Sequence, residues 1–297
     1  MAIRINPNIL PDLLISLAQS KQNEAVATEQ LASGRRVNQI SDDPSAVATL
    51  VGNHNQAGQD DQFLQNLSTL HTRFQVADST LSSVVEVLTR AIAIGTEGAN
   101  GTLSAADRQA IAGEVQGLQS QLVGLANTSY QGTYLFAGTA VTTLPFTLNT
   151  TTGAVSYNGN AGVASVQLSN GNSINSNLPG TQLFQNTSGD AFAALQNLNT
   201  ALLSGNNIGA AVGQLGTALS QISTQRVFYG NNLNQVNLSE NFLNQDKLNL
   251  STQENALIGA DPAKAASDLV QAQTTNQATL SATGRILSLP TLLDFLK

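Results

Sequence analysis

Two groups of ionisable side chains have types and spacing that could support chemistry. His54 precedes Asp60 and Asp61 by six and seven residues, and a histidine with two carboxylates is a possible metal site. On a helix at most one of these carboxylates lies near the histidine, so we interpret all three as exposed polar residues. Asp42 and Asp43 could form an acid–base pair, but they stand at a predicted helix start, where aspartates cap backbone amides. Neither group predicts catalysis.

No other pattern favours an enzyme. The chain has no cysteine, which excludes a disulfide, a thiolate metal site and a thiol nucleophile. No nucleotide-binding, zinc-protease or serine-hydrolase motif occurs together with the partners that its chemistry needs. We therefore predict no catalytic, metal-binding or cofactor-binding residue, no cofactor and no enzymatic activity.

The composition excludes further classes of protein. The 297 residues are 41% hydrophobic, enough for a sizeable core, and the net charge is -7. Because no basic cluster is larger than Arg35–Arg36, nucleic acid is not an expected partner. No run of about 18 apolar residues predicts a membrane span, and the first 20 residues lack the apolar centre of a cleavable signal peptide.

Charged residues are scarce and unevenly placed. They make up 10% of the chain, against about 25% in a typical soluble domain. Of the 31 charged residues, 19 lie in residues 1–114 and 11 in residues 226–297, with Asp190 alone between. Identical copies could pack closely through such uncharged surfaces with little electrostatic repulsion.

The strongest pattern is the four-three apolar spacing of a coiled-coil seam, which predicts long helices. Asp43–Pro44 supplies an N-cap and a first-turn proline, so a helix is expected from about Pro44 to Ile94. Glycines within residues 95–101 are expected to end it. Its seam comprises Phe63, Leu67, Leu70, Phe74, Ala77, Leu81, Val84, Leu88 and Ala91.

The same spacing returns twice later in the chain. A capping box at Ser104–Asp107 predicts a second, antiparallel helix with a seam from Ile111 to Leu125. The longest seam runs from Ile208 to Leu257 without a slip in spacing. Four charged residues interrupt it, and we expect them where the seam meets water or another chain: Arg226, Glu240, Lys247 and Glu254.

A short region in the middle of the chain has β character. Alternating residues at Phe146–Leu148 and Val163–Leu168 predict short strands, and the region is expected to be a small insert displayed at the surface. Its composition would also suit a flexible linker, but the alternation and the turn residues favour folded hairpins. The expected turns are Gly153, Asn158–Gly159 and Asn170–Gly171.

Both ends of the chain predict amphipathic helices. Gly34 is expected to stop the first, and Asp261–Pro262 to start the last, with Pro290 before the apolar terminus. We expect the apolar side chains of these helices to form an assembly interface: Leu10, Leu13, Leu14, Leu17, Leu280, Ile286, Leu287, Leu292, Leu293, Phe295 and Leu296.

The predicted fold is mainly α with an inserted β-rich domain. The N- and C-terminal halves would pair as a long antiparallel, coiled-coil-like helical rod. The expected domains are terminal assembly helices at 1–43 and 258–297, a helical core at 44–132 and 190–257, and the β-rich outer domain at 133–189.

Several segments resemble the bacterial flagellin family. Residues 31–44 are similar to its N-terminal signature, residues 107–115 to its second core helix, and residues 265–296 to its terminal helix. Residues 134–139 resemble the entry to the insert in the family's hook–filament junction subunits. The residues that carry the signatures are Leu31, Gly34, Arg36, Asn38, Asp42, Asp43, Pro44, Tyr134, Phe136 and Gly138.

The resemblance implies a structural subunit of the bacterial flagellum that forms the layer between the hook side and the flagellin filament. Its implied partners are copies of itself in a ring, a neighbouring hook-associated protein, flagellin, and a cytoplasmic export chaperone on the C-terminal helix. The location would be extracellular, after type III export without a cleavable signal peptide, and the terminal helices would order on assembly. Filament flagellin remains an alternative, as does a coiled-coil adhesin or phage tail component.

Overall fold

The computed structural model describes residues 9–169 and 171–287. Contacts divide the chain into two compact units, residues 1–58 with 246–297 and residues 59–245. The helices are α1 (Ile9–Ser33), α2 (Pro44–Gly98), α3 (Ala105–Ala126), α4 (Gly180–Phe184), α5 (Ala191–Ser204), α6 (Ile208–Ile258) and α7 (Pro262–Leu287). The strands are β1 (Ser129–Tyr130), β2 (Thr133–Tyr134), β3 (Phe146–Leu148), β4 (Val155–Tyr157), β5 (Ser165–Ser169), β6 (Asn172–Asn175), β7 (Gln185–Asn186) and β8 (Gly189–Asp190).

The predicted helix starts are confirmed by side-chain caps. Asp43 accepts a hydrogen bond from the Ala46 amide at the start of α2, and Asp261 accepts from the Ala263 amide at the start of α7. Ser104 and Asp107 form a reciprocal capping box at the start of α3. Each cap satisfies amides that the first helical turn leaves without a partner.

The core of the unit formed by residues 59–245 lies along the predicted seams. From Leu67 to Ala91 every predicted seam residue of α2 is buried, and Phe63 is half-buried at its edge. The ring of Phe74 meets Phe228 and Tyr229 of α6 edge-on, with ring centroids 6.3 and 5.8 Å apart. Such edge-to-face aromatic pairs add to the stabilisation that burial provides.

Helix α2 ends at Gly98, within the glycine-containing segment 95–101 that is expected to end it, although it continues past Ile94 and through Gly95. A Cβ atom at Gly95 would lie 2.8 Å from Val212 and 3.0 Å from Leu198, and one at Gly98 would collide with Leu202. These glycines therefore allow α5 and α6 to approach α2 closely. Gly95 thus serves helix packing, and Gly98 both ends α2 and leaves room for Leu202.

The described residues in the middle of the chain form four separate two-stranded antiparallel hairpins. Gly153 and Gly171 have φ values of +72° and +88° in the turns β3–β4 and β5–β6, as predicted. The chain bends at Gly159, but the hairpin turn predicted at Asn158–Gly159 joins no pair of strands, since the next strand begins at Ser165 and pairs with β6. Val163 precedes that strand and is exposed.

The hairpins share a hydrophobic core with the helices. Phe146 of β3 lies 5.5 Å from Phe184 of α4 and 5.1 Å from Phe192 of α5, measured between ring centroids. All three rings are buried. The insert is thus anchored to α5 by aromatic packing, while the domain limits proposed from the sequence stay a prediction.

Two of the charged seam residues, Arg226 and Glu254, form ion pairs within the chain while part of each side chain stays exposed to water. Arg226 of α6 donates to Asp78 of α2 at 3.0 Å, and both side chains are about one third exposed. Glu254 lies 3.8 Å from Arg35 and 3.3 Å from His54. His54 thus faces a carboxylate on α6 that the sequence pattern did not identify.

Candidate assembly surfaces

A short backbone clasp joins the end of α1 to the start of α7. Gly34 adopts φ +68° and its amide donates to Gln30 at 2.9 Å, which ends α1 as predicted. The Ala260 amide then donates to the Gly34 carbonyl at 2.9 Å, and the Arg36 amide donates to the Ile258 carbonyl at 2.7 Å. Backbone hydrogen bonds therefore hold the end of α1 next to the start of α7.

The Arg36 side chain reinforces this clasp. Its guanidinium donates to Asp43 at 3.1 Å and to the Leu257 carbonyl at 2.7 Å. The Ala46 amide, the Ser45 hydroxyl and Arg36 donate hydrogen bonds that lower the pKa of Asp43 to about 2. Asp43 thus both caps α2 and holds Arg36 against the end of α6.

The remaining signature residues shape the loop before α2. Asp42 accepts hydrogen bonds from the amides of Asn38 and Gln39 at 3.0 and 2.9 Å, and the Asn38 side chain donates to the Arg35 carbonyl at 3.1 Å. Val37 is buried in a small cluster with Ala46 and Ile258. The signature is a structural motif that sets the geometry of the loop, and Pro44 occupies the first helical position as expected.

Helices α1 and α7 pack antiparallel, because both extend from the clasp. The Ser20 hydroxyl donates to the Ala272 carbonyl at 3.0 Å, and Asn276 donates to Glu24 at 2.6 Å. Among the residues of this pair whose burial is described, the fully buried side chains are small: Ser20, Ala27, Ala265 and Ala272. The larger Leu13, Leu17 and Leu269 are only half-buried there.

A groove of about 680 Å³ lies along this helix pair. Ala27 and Ala272 lie in its lining, with Ile15 and Val26 exposed beside them. The groove is open and mixes apolar with amide side chains, so it presents a surface for a macromolecule more than a closed ligand pocket.

The predicted interface leucines divide into two groups. Leu13 and Leu17 are half-buried, whereas Leu14 and Leu280 are 60% and 55% exposed. Ile15 and Val270, which the sequence analysis did not single out, are also exposed. The side chains of Leu10, Ile286 and Leu287, as well as Pro290, Leu292, Leu293, Phe295 and Leu296, lie outside the described residues.

The second signature segment lies where the insert begins. Tyr134 is half-buried in β2, and its amide donates to the Val141 carbonyl at 2.8 Å. Phe136 is fully buried, and Gly138 has φ +73° at a point where a Cβ atom would collide with Asn160. These residues therefore hold the first segment of the insert against Val141 and Asn160.

Side-chain amides form many of the hydrogen bonds that hold the insert together. The sequence patterns do not predict these hydrogen bonds. Asn127 bridges both backbone groups of Phe146 at 2.8 Å. Asn160 accepts from the Thr139 amide at 2.8 Å, and Asn177 accepts from the Ala164 amide at 2.8 Å. The low content of charged residues is the feature of the sequence that could have indicated these contacts. Side-chain amides can bond backbone groups that lack a strand partner, and they do so without burying a charge.

Neither a metal-site cluster nor a membrane-spanning helix occurs in the described part of the chain. Within residues 9–169 and 171–287, no three His, Asp or Glu side chains are grouped as a metal site. Among the helices described there, none is long and apolar enough to cross a bilayer.

Comparison with known proteins identifies the class. The model of the bacterial flagellin N-terminal helical region matches residues 5–141, and that of the flagellin C-terminal helical region matches residues 212–296. Together these two models cover most of the chain, including the clasp and both terminal helices. The chain therefore belongs to the bacterial flagellin family.

Individual relatives show which flagellar proteins the chain is similar to. Flagellar hook-associated protein 3 of Escherichia coli is 36% identical over 119 residues, which are 40% of this chain and 38% of the relative. The chain thus matches about two fifths of that protein's length. The flagellar filament 30.7 kDa core protein of Treponema maltophilum is 25% identical over 257 residues and 85% of each chain. A solved structure, flagellar hook associated protein-3 from Legionella pneumophila, shares the fold with a TM-score of 0.63 and 16% identity over 71% of this chain and 98% of that one.

Proposed function

We propose that this chain is a structural subunit of the bacterial flagellum and forms the layer that joins the hook side to the flagellin filament. The observation that carries the proposal is the helix pair α1 and α7, which presents exposed leucines and an open groove. The clasp built from the family signature fixes this pair. Relatives named hook-associated protein 3 support the junction position over other positions in the flagellum.

In this proposal, residues 1–43 and 258–297 are the assembly segments. Leu14 and Leu280 would be covered by neighbouring copies, and the remaining predicted leucines would extend the same surface. Because the fully buried side chains among the described residues of the pair are small, its helices would gain most of their stability when neighbours cover them. The terminal helices would therefore become fully ordered only on assembly.

The proposed partners are the proteins that would contact these assembly segments. Copies of the chain would form a ring that contacts a neighbouring hook-associated protein on one side and flagellin on the other. Before export, a cytoplasmic chaperone would cover α7, whose exposed Val270 and Leu280 would otherwise promote self-association. The mature location would be extracellular, after type III export without a cleavable signal peptide.

A filament subunit is the second candidate function. It is favoured by the similarity to a Treponema filament core protein, which extends over 85% of this chain. The two functions differ in number and position, because a junction subunit occurs once per flagellum as a short layer whereas a filament subunit recurs along the whole length. If the chain were a non-flagellar adhesin or a phage tail component, the presence of the flagellin signature in the clasp would be unexplained.

Electron microscopy with a labelled chain distinguishes these functions. The cells would carry an epitope in the exposed insert turn at Gly171, and gold-labelled antibody would mark its position on isolated flagella. Label confined to the point where hook and filament meet supports the junction subunit. Label along the filament would contradict it in favour of the filament subunit, and unlabelled flagella would contradict both.

A further inference from the structure

Asparagine is followed by glycine at three places in the chain, Asn100, Asn158 and Asn170. At such a pair the backbone nitrogen of the glycine can attack the side-chain carbonyl of the asparagine, because glycine has no Cβ atom to hinder the approach. The structure describes the first two pairs, and Asn170 lies outside the described residues. The surroundings of Asn100 and Asn158 differ in the features on which this attack depends.

The Asn100–Gly101 pair lies in the short turn between α2 and α3. Both residues are exposed, and a Cβ atom at Gly101 would meet nothing within 4 Å. Within the part of the chain that the structure describes, the Gly101 amide donates no backbone hydrogen bond. Its nitrogen is therefore accessible to water and free to lose its proton.

The side chain of Asn100 folds back over the Gly101 peptide group. The Thr102 amide donates to Oδ1 of Asn100 at 3.2 Å, and the Thr102 hydroxyl donates to the same atom at 2.9 Å. Because a backbone amide can only donate, the acceptor is the oxygen of the side-chain amide and not its nitrogen. Two donors on this oxygen polarise the carbonyl and would stabilise the negative charge that develops on it during attack at Cγ.

The Asn158–Gly159 pair is held in a different way. Nδ2 of Asn158 donates to Oγ1 of Thr147 at 3.3 Å, which directs the side chain towards β3. Gly159 is half-buried, and a Cβ atom there would collide with Tyr157 and with the Ala137 carbonyl. The packing around Gly159 opposes the backbone rotation that attack on Asn158 would need.

We propose that Asn100 is a site of spontaneous modification, at which the Gly101 nitrogen displaces the side-chain amide with help from Thr102. The Gly101 nitrogen gives its proton to hydroxide and forms a bond to Cγ of Asn100. The Cγ–Nδ2 bond then breaks, and Nδ2 takes a proton from water and leaves as ammonia. The cyclic imide takes up one water molecule and opens to aspartate or isoaspartate, so the only reagent consumed is water.

The product changes the turn between α2 and α3. Its carboxylate adds one negative charge to the net charge of -7 and stands just after Gly98, at a helix end where the dipole disfavours an anion. Isoaspartate also lengthens the backbone by one carbon atom, next to the hydrogen bond of 3.2 Å from the Leu103 amide to the Asn100 carbonyl. The modification therefore weakens the turn, and the inference is independent of the proposed flagellar function.

Timed incubation of the purified full-length chain tests the proposal. The folded chain is kept at mildly alkaline pH in water enriched in oxygen-18 and is then digested at acid pH in ordinary water. Mass spectrometry measures the fraction of each asparagine–glycine peptide that has gained the heavy oxygen. We expect Asn100 to be converted at least about tenfold faster than Asn158, since of the two only Asn100 is held close to the geometry of attack. Equal rates would overturn the proposal.

The unfolded chain is the control for the effect of neighbouring residues in the sequence. In guanidinium chloride both pairs lose their folded surroundings, so the rates of Asn100 and Asn158 should come within about threefold of each other. If the difference seen in the folded chain persisted unchanged, the fold would not be its cause, and the proposal would be wrong.

Two threonine variants test the contribution of Thr102. Thr102→Val removes the hydroxyl that donates to Asn100, whereas Thr96→Val removes an exposed hydroxyl of α2 that donates to the Ile92 carbonyl. The first change should slow the conversion of Asn100 about threefold or more, because the developing charge loses one donor, and the second should leave the rate unchanged. Circular dichroism checks that both variants are folded. The same rate in Thr102→Val and Thr96→Val would refute the assistance by Thr102.

Discussion

At the scale of single residues, the clasp explains why the signature contains these residue types. Gly34 is needed for a positive φ, and Arg36 is needed to reach a carboxylate and a carbonyl at once. Both hydrogen bonds come from one guanidinium nitrogen, Nη2, which lies at the end of the long Arg36 side chain. The sequence predicted where the caps lie, but not that Arg36 bonds to Leu257, because that pair is 221 residues apart.

Asp43 should make stability depend on pH in the acid range. Its pKa is lowered from 3.8 to about 2 in the folded chain, so the folded state binds the proton more weakly than the unfolded state. Its stabilisation is therefore present above about pH 4 and is lost as the pH falls towards 2. We predict that Asp43→Asn lowers the thermal midpoint at pH 6 and that its difference from the wild type narrows between pH 4 and 2. A difference independent of pH, measured by circular dichroism, would contradict this.

Glycines in two helices should respond oppositely to alanine. Gly113→Ala should stabilise the monomer by up to about 1 kcal/mol, because the new methyl group meets open space on α3. Gly98→Ala should destabilise it by about 1–3 kcal/mol, because the methyl group collides with Leu202. Urea denaturation at equilibrium measures both, and a gain in stability for Gly98→Ala would refute the packing function of that residue.

At the scale of elements, the helices were predictable and the insert was only partly so. Seam spacing and Asp-Pro caps define a helix from its own residues, so the starts of α2, α3 and α7 were found. The sequence predicts the end of α2 only to within a few residues, because a glycine within a helix does not show whether another helix packs there. The turn at Gln131–Gly132, where both residues have positive φ, joins a hairpin that the sequence did not predict.

Amide bridges should hold the insert to the helices. Asn127 is half-buried after α3 and satisfies both the amide and the carbonyl of Phe146. Asn127→Ala should cost about 1–3 kcal/mol, because it leaves two backbone groups of Phe146 without their partner. Asn66→Ala, on an exposed face of α2, is the matched control and should change the free energy of unfolding by less than about 0.5 kcal/mol. Equal effects in urea denaturation would contradict the bridging function.

At the scale of the whole molecule, stability should differ between the ends and the middle. The described side chains that α1 and α7 bury fully are small, whereas residues 59–245 enclose large aromatic and aliphatic groups. Local opening is therefore expected to be easiest at the ends. Brief thermolysin digestion should cleave within 1–43 and 258–297 and leave residues 44–257 intact, as mass spectrometry would detect. Uniform resistance of the monomer would contradict coupling of terminal order to assembly.

Deletion of the gene tests the central proposal most directly. A junction subunit is needed before flagellin can add to the hook, so the deletion strain should carry hooks without filaments and release unpolymerised flagellin into the medium. Expression of the intact chain from a plasmid should restore filaments. Electron microscopy of the cells, together with immunoblotting of the medium for flagellin, gives the measurement. Filaments of normal length and number on the deletion strain would contradict the proposed function.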